Sequence, residues 1–319
     1  MASSRASSDP AAEPAGSDPV QRGGALPWGL RTYVMGVINL TPDSFSDGGR
    51  YPTPAAALRQ ARAMVAQGAD LLDLGGQSTR PGAAEISAEQ ELGRVLPALE
   101  LIRSAWADTG GPLISIDTFR APVAAAALAA GAHWINDVSG GRRDPEILSV
   151  VAEFGCPYVL MHSRGDSRSM DGLAAYADVV AEVREELLRA SEAAHSAGIR
   201  ADQLIWDPGL GFAKTTEHNL ALLRGLADLR REGFPLLVGP SRKRFIGAVL
   251  NEPRPRARLW GTAAVCAQAI TQGADVLRVH DVAPIVQTAR MVDAIVRSSP
   301  PVPAREGPEA PVGGFSANS

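Results

Sequence analysis

The 319-residue chain has only two cysteines, Cys156 and Cys266, each inside an apolar stretch. With no CxxC pair and no clustered histidine partner, they fit buried free thiols rather than a disulfide or a zinc site, and they suit a reducing compartment. No run of about 18 apolar residues occurs, so no membrane-spanning helix is expected. His133, His195 and His218 lack metal-ligating spacing. The first apolar run is not followed by GxGxxG, and GLGFAKTT at 209–216 lacks the GxxxxGK[ST] spacing of a phosphate loop, which excludes dinucleotide and ATP sites there. Charge of one sign is also scarce. A formal net charge of −4 gives no general affinity for nucleic acid or for an acidic membrane face. The opening MASSRASSDPAAEPAGSDP has no apolar signal-peptide core, and Asp9, Glu13 and Asp18 count against an organelle transit peptide. The expected location is the cytoplasm.

What is present is enough apolar residue, 45%, to bury one large core. Residues 1–28 and 298–319 are rich in Ala, Ser, Pro and Gly without apolar periodicity, so both read as disordered tails around one domain at 29–297.

Within that domain, short unalternating apolar runs alternate with longer helical patterns. The runs are YVMGVI (33–38), DLLDL (70–74), PLISI (112–116), HWIN (133–136), PYVLM (157–161), QLIW (203–206), PLLVG (235–239) and DVLRV (275–279). Such runs suit strands buried on both faces, as in a parallel sheet. Thr53-Pro54 and the Ser87…Gln90 capping box start helices, Asp144-Pro145 opens another, and glycine closes several in QGAD, AGAH and QGAD again. Eight such units match the size of a (β/α)8 TIM barrel, roughly 250 residues.

Every run leads into polar or ionisable residues. They are Asn39, the 75–82 stretch GGQSTRPG, Asp117, Asn136, His162, Asp207, the stretch Ser241-Arg242-Lys243, and Arg278 with His280. In a barrel these converge on the face where catalytic groups sit. Asp117, Asn136 and Asp207 offer acceptors for the N–H groups of a heterocycle, and Lys243 a donor. Thr79, Arg278 and His280, with Arg80 and Arg242 nearby, suit a phosphate or carboxylate. The site reads as one polar heterocycle plus one anion.

Seven ordered motifs then carry a resemblance. MGVINLTPDSFSDGG (35–49), GGQSTRPGA (75–83), SIDTFRAPVA (115–124), INDVSGG (135–141), DPGLGFAKTTEHN (207–219), SRKRFIG (241–247) and RVHDV (278–282) closely resemble the dihydropteroate synthase family, over about residues 33–296. The resemblance implies a (β/α)8 fold. It implies condensation of 6-hydroxymethyl-7,8-dihydropterin diphosphate with 4-aminobenzoate to give 7,8-dihydropteroate and diphosphate, with Mg²⁺ as cofactor and a homodimer as assembly. By that resemblance Asp117, Asn136, Asp207 and Lys243 bind the pterin, with Asp117 and Lys243 the catalytic pair. Asn39, Thr79, Arg278 and His280 hold the diphosphate, with Asn39 a metal ligand. Phe212, Ser241, Lys243, Thr79 and Pro81 border the aminobenzoate, and Phe45 and Asp47 lie in a loop that closes over it. Gln77 departs from the pattern, standing where many members have Glu. Two other readings share the pterin residues: a pterin-dependent methyltransferase and a non-catalytic pterin-binding paralogue.

Overall fold

Each of the eight apolar runs forms a strand: β1 (Tyr33–Asn39), β2 (Leu71–Gly75), β3 (Leu113–Asp117), β4 (Trp134–Asp137), β5 (Tyr158–Met161), β6 (Leu204–Asp207), β7 (Leu237–Val238) and β8 (Val276–Val279). All are paired in parallel, in the order β6-β5-β4-β3-β2-β1-β8-β7. A parallel bridge between Trp206 and Leu236 joins the remaining seam, so the sheet closes on itself. The computed structural model describes residues 26–41, 53–78 and 82–297; Phe45, Asp47, Thr79, Arg80 and Pro81 lie outside them, as do residues 1–25 and 298–319 of the expected tails.

Parallel neighbours need helical crossovers. These are α1 (Pro54–Ala66), α2 (Ala88–Ser104), α3 (Ala121–Ala129), α4 (Glu146–Phe154), α5 (Val179–Ser196), α6 (Thr216–Arg224), α7 (Leu226–Arg230), α8 (Arg244–Leu250), α9 (Leu259–Thr271) and α10 (Val282–Val296). The (β/α)8 expectation holds, except that the crossovers after β6 and β7 each break into two α-helices. Thr53 and Ser87 cap α1 and α2 as their sequences imply. Asp144 does not cap α4; its Oδ2 instead accepts from Ala121 N at the start of α3, at 2.7 Å.

The repeated Gly-Ala junction has one geometry at three places. Gly68, Gly131 and Gly273 take φ of +99°, +92° and +96°, where a side chain would be strained. The following alanine N–H then reaches back to the helix, to Met64, Ala127 and Ala269 respectively. The chain turns directly into the next strand.

Two apolar layers result. One lies between sheet and helices. The other fills the lower barrel with Tyr33, Met35, Leu71, Leu113, Trp134, Val159, Ile205, Leu237 and Val276. Leu26 and Trp28 also pack there, and Tyr33 donates to Pro27 O. These three residues, assigned to the tail from composition, are therefore part of the barrel floor; a stretch this short shows no periodicity by which to detect it.

Candidate active site

Side chains on a strand alternate, so the residues two positions beyond the apolar floor also face the barrel axis. From Leu71, Leu113, Trp134, Ile205 and Val276 this step gives Asp73, Ser115, Asn136, Asp207 and Arg278. One further step gives Asp117 and His280, and on β1 the series ends at Asn39. The upper barrel is thus polar by the same periodicity that makes the lower barrel apolar.

Arg278 organises this layer. Its Nε donates to Asp73 Oδ2 and its Nη2 to Asp117 Oδ2, both at 2.6 Å, and Asn136 Nδ2 donates to Asp73 Oδ2 at 3.2 Å. Asp117 is not a helix cap: α3 begins four residues later, and its carboxylate is committed to the barrel. Burial pushes the Asp117 carboxyl up to about 7; Arg278 opposes this, and the carboxylates of Asp73, Glu91 and Asp137 add to it. Burial also raises Asp207, against the hydrogen bond its Oδ1 accepts from Gly209 N at 2.7 Å. Asp73 Oδ1, Ser115 Oγ and Asn136 Oδ1 are buried with no protein partner.

Lys243 enters from the β7 side. Its Nζ stands 4.2 Å from the centre of the Phe212 ring, in cation–π range. Burial brings its ammonium down to about 8; Arg278 pushes the same way, while Asp207 and Asp117 oppose. The loop that presents it is strained at Arg242, a non-glycine residue with φ +61°. Surrounding contacts hold that conformation. Arg242 Nε and Nη2 pair with the Asp281 carboxylate at 3.0 and 2.6 Å, and Arg258 Nη1 donates to Arg242 O and Lys243 O. Arg242 therefore shares its charge with Asp281.

Ser241 Oγ accepts from His280 N and also contacts His280 Nδ1 at 3.0 Å. Burial first, then Arg242 and Arg278, lowers the imidazole to about 3, so it is neutral near pH 7. Asn39 sits at the end of β1, in register with Gly75.

Gln77 is buried and internally bonded. Its Oε1 accepts from Ile86 N at 3.0 Å, and its Nε2 donates to Ser78 O and Ala84 O at 2.9 and 3.1 Å. A carboxylate in its place could make only the first of these bonds.

Sequence reasoning missed Asp73, although an aspartate inside the apolar DLLDL run was the available signal. It also missed Lys214, whose ammonium is buried beneath the loop after β6; the sign was one lysine among small and apolar residues.

Among known proteins, a family model described as pterin binding enzyme matches residues 35–280. A dihydropteroate synthase from Synechocystis is 50% identical over 270 residues, which cover 85% of this chain and 92% of the relative. The solved dihydropteroate synthase of Xanthomonas albilineans with 4-aminobenzoic acid is 44% identical with a TM-score of 0.78, covering 85% of this chain and 94% of that one. A structure of the Xanthomonas enzyme in complex with 7,8-dihydropteroate is 41% identical with a TM-score of 0.75, covering 85% and 95%.

Proposed function

The chain belongs to the dihydropteroate synthase family, and from that premise we propose how its barrel mouth carries out the synthase reaction of folate biosynthesis. The pterin of 6-hydroxymethyl-7,8-dihydropterin diphosphate lies in the polar upper barrel. Asp117, Asn136 and Asp207 accept from its amino and ring N–H groups, and Lys243 donates to its carbonyl or ring nitrogen. The observation that carries this reading is the pair of buried acceptors, Asn136 Oδ1 and Asp73 Oδ1, that have no donor within the protein. Buried polar atoms are nearly always satisfied, so these call for donors on a ligand.

Asn39, Arg278 and His280, with Thr79, take the diphosphate. Because Ser241 Oγ accepts from His280 N, its own proton is free to go to Nδ1. The neutral imidazole then carries its proton on Nε2, ready to donate to an oxygen. Mg²⁺ fits this set. Asn39 offers a hard amide oxygen, and no three His, Cys, Asp or Glu side chains among the described residues form a metal cage. Diphosphate and water oxygens would supply the remaining ligands. When bound, the ion would neutralise leaving-group charge.

Breaking the C–O bond sends the electron pair to the diphosphate and leaves positive charge on the pterin carbon, which Asp117 faces. The 4-aminobenzoate amine then forms the new C–N bond and loses one proton to solvent. Phe212, Lys243 and Ser241, with Thr79 and Pro81, are assigned to the border of its pocket, and Phe45 and Asp47 to the loop that closes over it. The Synechocystis and Xanthomonas relatives are dihydropteroate synthases, which favours this chemistry over a methyltransferase or a binding-only paralogue. Diphosphate release from the pterin diphosphate, with and without 4-aminobenzoate, tests the reading. With the arylamine present, each diphosphate released should be matched by one dihydropteroate; an inert protein, or release that yields no dihydropteroate, would refute it.

The two subsites share a contact, since His280 of the diphosphate group touches Ser241 of the aminobenzoate group. Binding at one should therefore favour binding at the other, and the effect must be reciprocal. A coupling of about 1–3 kcal/mol would tighten 4-aminobenzoate roughly five- to 150-fold when Mg²⁺-diphosphate is present. Equal dissociation constants in calorimetric titrations with and without it would rule this out.

We also propose a homodimer, which sedimentation would test, and a cytoplasmic location. In support of the latter, Cys156 and Cys266 are buried free thiols, which a reducing compartment suits.

A further inference from the structure

The loop between β6 and α6 is wound around an ammonium group. Lys214 Nζ donates to Gly209 O at 3.1 Å, to Phe212 O at 3.0 Å and to His162 Nδ1 at 2.9 Å, one acceptor for each of its three protons. Lys214 is 8% exposed and His162 1%. His162 Nε2 is in turn 2.9 Å from Glu186 Oε2 on α5, and Glu186 also receives Arg164 Nε at 3.0 Å. With Nδ1 accepting from Lys214, the imidazole must donate to Glu186 through Nε2, so the direction of every bond in the chain is set.

The loop could not easily hold its shape otherwise. Gly209 (φ +68°) passes so close to His162 O that a Cβ would stand 1.8 Å from it, and Ala213 takes φ +49° without being glycine. Both ends of the loop carry site residues: Asp207 begins it, and Phe212 presents its ring to Lys243.

We propose that Lys214 is a positioning residue for the aminobenzoate half of the reaction, its ammonium fixing the Phe212 wall, with Glu186 and His162 holding the ammonium in place. The proposal rests on the synthase reading above. A neutral amine has only two protons for three acceptors, so loss of charge leaves one of the three without its donor and loosens the tie. Burial and the cations Lys243 and Arg164 lower the ammonium to about 7, while Asp207 and Glu186 hold it up. His162, lowered to about 4, is neutral and serves as acceptor. Of the pterin residues, Asp117, Asn136 and Asp207 stand on β3, β4 and β6, and Lys243 follows β7, so none lies within the loop that Lys214 ties together.

The test compares wild type with Lys214→Met and Glu186→Gln. K214M should raise KM for 4-aminobenzoate at least about tenfold while kcat and calorimetric pterin affinity change less than about threefold, the loss of one charged hydrogen bond being of that order. E186Q should raise the same KM less. It should also move the alkaline loss of aminobenzoate affinity to lower pH, because a charge favouring the ammonium is gone; a merely structural role would not shift that limb. Should K214M fail to fold, the E186Q pH profile decides alone. An aminobenzoate KM within twofold of wild type in K214M, equal losses of pterin and aminobenzoate affinity, or an unmoved limb in E186Q would each overturn the proposal. Wild type that binds no 4-aminobenzoate would sink the synthase reading as well, whereas wild type that binds it, with K214M binding it equally well, sinks this inference alone.

Discussion

Replacing Arg278 with methionine should cost about 3–5 kcal/mol of folding stability, the range for removing one partner of a buried ion pair. The guanidinium bridges two carboxylates, Asp73 and Asp117, that stand on the neighbouring strands β2 and β3. Asp73 is fully buried and Asp117 nearly so, and without Arg278 both would repel each other where water cannot screen them. Activity should fall with stability, because the same side chain is assigned to the diphosphate.

The defect should depend on pH in a defined direction. Asp117 already has its carboxyl raised to about 7 in the fold, above the 3.8 of an unperturbed aspartate. A group raised in this way favours the folded state below its unfolded value and loses that contribution as pH rises through the folded value. Without Arg278 the carboxyl rises further, so a protonated Asp117 relieves the variant in acid but not in alkali. Urea unfolding of R278M and wild type from about pH 5 to about pH 9 should show a gap that widens with pH. A gap below about 1 kcal/mol, or one that stays constant, would mean that the cluster is held by something other than Arg278.

The barrel was legible because its signals are local. Buried parallel strands need unalternating apolar runs, tight αβ turns need glycine at positive φ, and both are written in short windows such as QGAD. Polar residues at strand ends were visible for the same reason, and the strands run one residue further than the apolar runs to include Asn39, Asp117 and Asp207. What a window does not contain is which charges meet. Arg278 and Asp73 are 205 positions apart, and the pairing of Arg242 with Asp281 rests on a left-handed backbone that nothing in SRKR announces. Asp73 and Ser115 were hidden inside runs that are apolar on average. Gln77 kept its hydrogen-bonding capacity, as its chemistry implies, but its three backbone partners follow from the fold alone.

Lys243→Met should separate function from stability. In kcat/KM the variant should lose about 100-fold or more, through a charged hydrogen bond to the pterin of about 1.5–3 kcal/mol and the displacement of an arylamine that Lys243 and Phe212 border together. The fold, by contrast, should gain. Burial holds the ammonium at about 8, below the 10.5 of an ordinary lysine, so at neutral pH the charged form is less favourable in the folded chain than in the unfolded one. For a lysine lowered in this way, the folded state is favoured above the unfolded value and penalised as pH falls through the folded one. Methionine has a similar length and no charge, so it escapes the penalty. Since Lys243 is only partly buried, the gain near pH 7 should be on the order of 1–2 kcal/mol, less than the whole shift would give. It should shrink as pH rises through about 8 and vanish near 10.5, where the wild-type lysine is neutral in both states. Denaturant midpoints for the two proteins at about pH 6.5 and about pH 9.5 measure this directly. A variant less stable than wild type at the lower pH would show that Lys243 is a net structural contributor, and would remove the ground for reading its half-buried charge as a concession to substrate binding.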